Sequence, residues 1–153
     1  MKLSEALSKR ADLQKRIQQL KSRLMDCAWV QDGDSPAEEP VSLRKDLDDC
    51  LLKFESLVYA INRTNFLSQD ENGNTLTSLI AKRDALSLKV KTLRDLSSSL
   101  SASSNRYSRS EIKYVRTMDL ASLNREIDSL SSQLRSLDTK IQGLNWTIDL
   151  LEE

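Results

Sequence analysis

From Leu120 to Leu151, apolar residues recur without a break at alternating steps of three and four: Leu120, Leu123, Ile127, Leu130, Leu134, Leu137, Ile141, Leu144, Ile148 and Leu151. This spacing lays ten large side chains along one stripe of an α-helix, and water tolerates such a stripe only if another helix covers it. A strand would scatter the same residues over both of its faces, so the pattern restricts the chain to packed helices. Asp119 precedes the first seam residue and has the side chain of an N-cap. The predicted helix runs over 119–152, about 50 Å at 1.5 Å per residue.

Three further stretches carry the same period. The first reads Leu3, Ala6, Arg10, Leu13, Ile17, Leu20, Leu24 and Cys27, with Arg10 as its single charged seam position. The second reads Leu43, Leu47, Cys50, Phe54, Leu57 and Ile61, begins after Pro40 with Ser42 as cap, and decays into the polar run at Asn62. The third reads Leu76, Leu79, Arg83, Leu86, Val90 and Leu93. Helices are therefore expected over 3–27, 42–67, 76–97 and 119–152. A chain of 153 residues suits one domain with one modest core. The expected fold is all-α: an antiparallel bundle of four long helices with coiled-coil-like seams, spanning 1–153.

Three connections link the helices. Residues 28–41 are acidic, 68–75 carry the turn signal Asn72-Gly73, and 97–118 open with serines. Ala28–Gln31 and Ile112–Val115 have strand-like composition, so the first and third connections are expected to build a small β-like cap. In an antiparallel bundle these two connections share one end. There Asp32, Asp34, Glu38 and Glu39 would face Arg106, Arg109, Lys113 and Arg116. The same topology keeps Cys27 and Cys50 roughly 12 Å apart along the axis, beyond disulfide reach, as expected of two buried thiols.

Composition closes off most catalytic chemistry. The chain has no His, which removes the commonest general base, Ser-His and Cys-His nucleophile pairs, and imidazole zinc sites. Gly33, Gly73 and Gly143 stand too far apart for a phosphate-cradling glycine loop. Asp70-x-Asn72-x-Asn74 imitates the start of an EF-hand loop, but Thr75 replaces its obligatory Gly and Ala81 its terminal Glu, so a turn capped by Thr75 is the reading. Two Ser-x-x-Lys matches, at Ser42 and Ser110, occur as often as chance predicts. Neither a cofactor nor a metal is expected, and the chain reads as non-catalytic.

Charge points the same way. Lys and Arg number 23, as do Asp and Glu, so the phosphate neutralisation that drives nucleic-acid binding and the polybasic block that holds an anionic membrane are both absent. The tract 105–117 interleaves basic residues with Tyr107 and Tyr114, a base-stacking composition, but internal pairing with the acidic connection is expected instead. The first residues, with Lys2, Glu5, Lys9, Arg10 and Asp12, hold no apolar core of an export signal. No segment is apolar enough to span a membrane. The expected location is the cytoplasm.

One polar constellation stands out. Antiparallel packing gathers Asn62, Arg63, Thr64 and Asn65 with Arg83 and Asp84, with Asn145, Trp146 and Thr147, and with Glu5 and Arg10, at the end opposite the acidic connection. Buried amides and guanidinium groups must be paired or they cost several kcal/mol. Such a cluster is either a satisfied network that fixes helix register or the lining of a small-ligand site.

The opening Lys2–Gln14, the run Ile61-Asn-Arg-Thr-Asn65, the pair Arg83-Asp84, the tract Arg106-Tyr-Ser-Arg-Ser-Glu-Ile-Lys113 and Asn145-Trp146 resemble a small bacterial family of uncharacterised proteins. Some of its members are labelled septicolysin. The resemblance implies a bacterial protein of unknown function and supplies no catalytic residue; the label hints at a secreted cytolysin, which the lack of an export signal disfavours. The leading expectation is a cytoplasmic, non-catalytic coiled-coil protein that self-associates or engages a protein partner as a scaffold or interaction module. A ligand-binding protein or enzyme using Asn62, Arg63, Asn65, Arg83, Asp84, Asn145 and Trp146 is the alternative.

Overall fold

The computed structural model of the protein describes residues 1–102 and 114–152. They form four α-helices: α1 over Leu3–Cys27, α2 over Pro40–Leu67, α3 over Leu76–Ala102 and α4 over Leu120–Thr147. The fold is all-α, and no helix among the described residues is long and apolar enough to cross a membrane.

The helix bounds show what periodicity misses. α2 begins at Pro40, two residues before the predicted Ser42, because proline at the first helical position sacrifices no hydrogen bond and brings a helical φ. α3 runs five residues past the predicted end at 97. Half-buried Leu96 and Leu100 prolong its seam, and the Ser101 hydroxyl bonds back to the Ser97 carbonyl at 2.9 Å. α4 starts as read, with Asp119 accepting the Ala121 N–H at 3.2 Å, but ends at Thr147 instead of 152. The chain then extends beside the N-terminus: Leu3 N–H donates to the Ile148 carbonyl at 3.0 Å and Leu150 N–H to the Met1 carbonyl at 2.8 Å. An extended segment alternates its side chains with period two. Leu150 is therefore buried, while the expected seam residue Leu151 is exposed.

Packing divides the four helices into two antiparallel hairpins, α1 with α2 and α3 with α4. The hairpins share one core at the end where both termini lie. There Leu3 and Ala6 of α1, Ile61 of α2, Leu76 and Leu79 of α3, Ile141 of α4 and Leu150 come together. Away from this junction the cores are pairwise. Leu20, Cys27, Leu43 and Cys50 form one between α1 and α2 alone. Val90 is buried in α3 and Leu123 and Ile127 in α4, where Arg94 donates to the Ser131 hydroxyl at 3.0 Å.

This is the all-α antiparallel bundle of four helices that the seams implied, with its tightest packing inside each hairpin, and it exposes surface. The molecule presents 11483 Å² to solvent, whereas a compact monomer of this mass presents about 7,900 Å².

The expected β-like cap is not formed among the described residues. Ala28–Gln31 is irregular, and the isolated bridges, Lys2 with Asp149 and Gln69 with Thr75, lie elsewhere. The acidic and basic connections belong to different hairpins, and two of their described charged groups bond within their own hairpin. Glu38 is paired with Arg23 of α1, which lowers the acid's pKa and raises the base's, and Arg116 donates to the Leu100 carbonyl at 2.9 Å. Arg106, Tyr107, Arg109, Ile112 and Lys113 fall outside the described residues. Cys27 and Cys50 are both free and buried, as the axial spacing predicted.

Candidate functional site

At the junction the second seam does not decay at Asn62. It continues one step further, from Ile61 to Thr64, a residue whose methyl fits a core and whose hydroxyl must be satisfied there. Thr64 is fully buried. Its Oγ1 donates to the Ala60 carbonyl at 2.7 Å and accepts the Leu151 N–H at 2.9 Å. One side chain thus fastens the C-terminal extension to α2.

The loop between α2 and α3 is fastened to α4 by Asp70, whose side chain is 1% exposed. Its Oδ1 accepts the Asn72 N–H at 2.9 Å and the Asn74 N–H at 2.8 Å, while Oδ2 accepts Lys140 Nζ at 2.7 Å. The Lys140 ammonium above all, then the Asn74 amide and the backbone N–H groups, holds the carboxyl far below the usual range against the opposing effect of desolvation. Gly73 turns the loop at φ +78°, and the Thr75 hydroxyl caps α3 by accepting the Ser78 N–H at 3.1 Å. The motif that imitated a calcium loop therefore builds its own turn. Among the described residues no cluster of three His, Cys, Asp or Glu could hold a metal ion.

The predicted site residues are spread over this end of the molecule. Asn62 and Arg63 are exposed on α2, and Asn65 is half-buried. Arg83 of α3 chelates its own neighbour, donating to Asp84 Oδ1 at 2.9 and 2.7 Å, and reaches Asp138 of α4 at 3.8 Å. Asn145 is half-buried and Trp146 is 69% exposed. Among the described residues no hydrogen bond or ion pair joins the α2 group to Arg83, Asp84, Asn145 or Trp146. The sequence places Thr64 in the polar cluster and Asp70 in a turn, and does not single out Lys140; these three carry the buried polar bonds of this end. A seam extended by three residues would have signalled the first, and an Asx turn before Asn-Gly the second.

The outer face of α2 borders an open cleft of about 930 Å³, lined on one side by Leu52, Tyr59 and Arg63 and on the other by Met1, Leu150 and Leu151. Arg63 is the one residue of the predicted set that lines it. The walls are mainly apolar. The Ser56 hydroxyl beside them donates to the Leu52 carbonyl at 3.1 Å.

Residues 10–150 match the model of a family of unknown function, DUF6847. The chain belongs to that family. A functionally unknown conserved protein from Corynebacterium diphtheriae, known from a crystal structure, is 41% identical, with 99% of each chain covered and a TM-score of 0.91. No curated protein matches. The resemblance to an uncharacterised family read from Asn62–Asn65 and the neighbouring motifs is thereby upheld; neither match bears the septicolysin label.

Proposed function

We propose that this member of DUF6847 is a non-catalytic, cytoplasmic, self-associating coiled-coil protein that serves as a scaffold or interaction module. One observation carries the reading. The outer face of α2 leaves Leu52, Tyr59 and Phe66 each more than 60% exposed at a spacing of seven residues. Isolated exposed hydrophobics are ordinary, but a heptad stripe of them is a second seam without a helix on it. Recognition through such a face needs no reactive group and no cofactor.

Native mass spectrometry of the protein at tens of micromolar tests the proposal. A mass equal to a whole number of bare 17.4 kDa subunits greater than one is expected. A bare monomer at every concentration overturns it. The cleft beside Arg63 favours a second reading, a small ligand bound by one copy, which predicts a fixed extra mass per subunit.

A further inference from the structure

The α2 stripe has a register that identifies its occupant. In an antiparallel pair of helices centred on one residue, side chains an equal number of positions before and after it face each other. Centred on Tyr59, the stripe places Leu52 of one copy opposite Phe66 of the other, and Tyr59 opposite Tyr59, so large apolar groups meet at every level. The same symmetry sets Glu55 opposite Arg63, twice. Neither Glu55 nor Arg63 has an ion-pair partner among the described residues of its own subunit.

We propose that α2 is the interface of an antiparallel homodimer, with the two-fold axis at Tyr59 and reciprocal Glu55–Arg63 pairs across it. This rests on the self-association proposed above and specifies its face, partner and geometry. Complementary charge selects the orientation. A parallel pair would put Glu55 beside Glu55 and Arg63 beside Arg63, a like-charge arrangement that destabilises, whereas the antiparallel pair neutralises both.

Area is sufficient as well. Leu52 (63% exposed), Tyr59 (61%) and Phe66 (67%), with flanking Leu51, Leu67 and Leu151, present apolar surface of the order of 600 Å² per copy. Doubled by symmetry, this reaches about 1,200 Å², the lower bound of stable specific interfaces, before the polar rim is added. The stripe faces away from the buried positions Leu43, Cys50, Ile61 and Thr64, so dimerisation leaves the subunit's own packing undisturbed.

The test is sedimentation equilibrium of the full chain with charge-reversed variants, each checked for unchanged helicity by circular dichroism. Glu55→Arg and Arg63→Glu should each raise the dimer dissociation constant at least tenfold, and the double variant should restore it to within about threefold. Single variants that match wild type overturn the α2 face while leaving self-association standing. Singles that weaken the dimer without rescue in the double overturn the register. A monomeric wild type overturns the interface and the scaffold reading together. Cysteine scanning supplies a second readout, because the native thiols are buried. Tyr59→Cys should cross-link readily under mild oxidation. Leu52→Cys should not, since its two copies would stand about 21 Å apart; cross-linking of both variants would mean a parallel pair and refute the proposal.

Discussion

Replacing Thr64 with Val tests whether one buried hydroxyl holds the C-terminal extension. The two side chains are nearly isosteric, so packing at this fully buried position is retained and only the hydroxyl is lost. Its bond to the Ala60 carbonyl duplicates a helical one, because that oxygen already accepts within α2; losing it costs little. The Leu151 N–H, at 2.9 Å, loses its acceptor. A net hydrogen bond is worth about 1 kcal/mol, and Leu151 is exposed enough for water to replace part of it. The expected destabilisation is therefore about 1 kcal/mol, a fall in Tm of about 2–4 °C. Locally, the Leu151 amide should exchange with deuterium about fivefold faster. Thr64→Ser separates the causes. It keeps the oxygen and removes a buried methyl, so it should lose similar stability through the cavity while leaving Leu151 protected. Unchanged Leu151 exchange in Thr64→Val, or equal acceleration in both variants, would refute the assignment.

Acid sensitivity follows from three carboxylates whose pKa values are depressed: Asp70 by Lys140, Asp149 by Lys2 and Glu38 by Arg23. A depressed folded-state pKa stabilises above the unfolded value, so the contribution is complete above about pH 5 and is lost as pH falls below about 4. The urea midpoint should stay level from pH 7 to 5 and fall below 4, with a shallower acid limb in Asp70→Asn; an identical limb in that variant would show that Asp70 does not contribute. Gly73→Ala should cost about 1 kcal/mol from its positive φ alone, since nothing lies within 4 Å of the added methyl. Gly143→Ala, inside α4 with equally open space, should instead be neutral or stabilising by up to about 1 kcal/mol. Thermal melts should show a lower Tm for Gly73→Ala and a Tm equal to or above wild type for Gly143→Ala.

The helices were legible because their seams are a local property. Ten residues in uninterrupted heptad spacing and the cap at Asp119 imply α4 whatever surrounds them. Even so, Ile148 and Leu151 continue the period without continuing the helix. Their fate was decided by competition between one more helical turn and main-chain bonds to Met1 and Leu3, which depend on where the N-terminus lies. The polar end was legible as a set of residue types and not as a set of contacts. Arg83 met its partner one position away at Asp84, whereas Thr64 met Leu151, distant in the chain.

Sequence alone determined the class of structure: four amphipathic helices, thiols held apart, and composition that removes histidine-based catalysis. Tertiary structure decided how the seams are shared. Each seam needs a neighbour, but periodicity does not say whether four helices enclose one core or two pairs enclose two. Beyond the core that the hairpins share at their junction, α1 and α2 close a second one between themselves, because Leu20 and Cys27 are satisfied by Leu43 and Cys50 without a third helix. That choice leaves the outer face of α2 to water, with Leu52, Tyr59 and Phe66 in register along it. A period of seven is visible in any sequence; which of its stripes remains uncovered is settled only when the helices have packed.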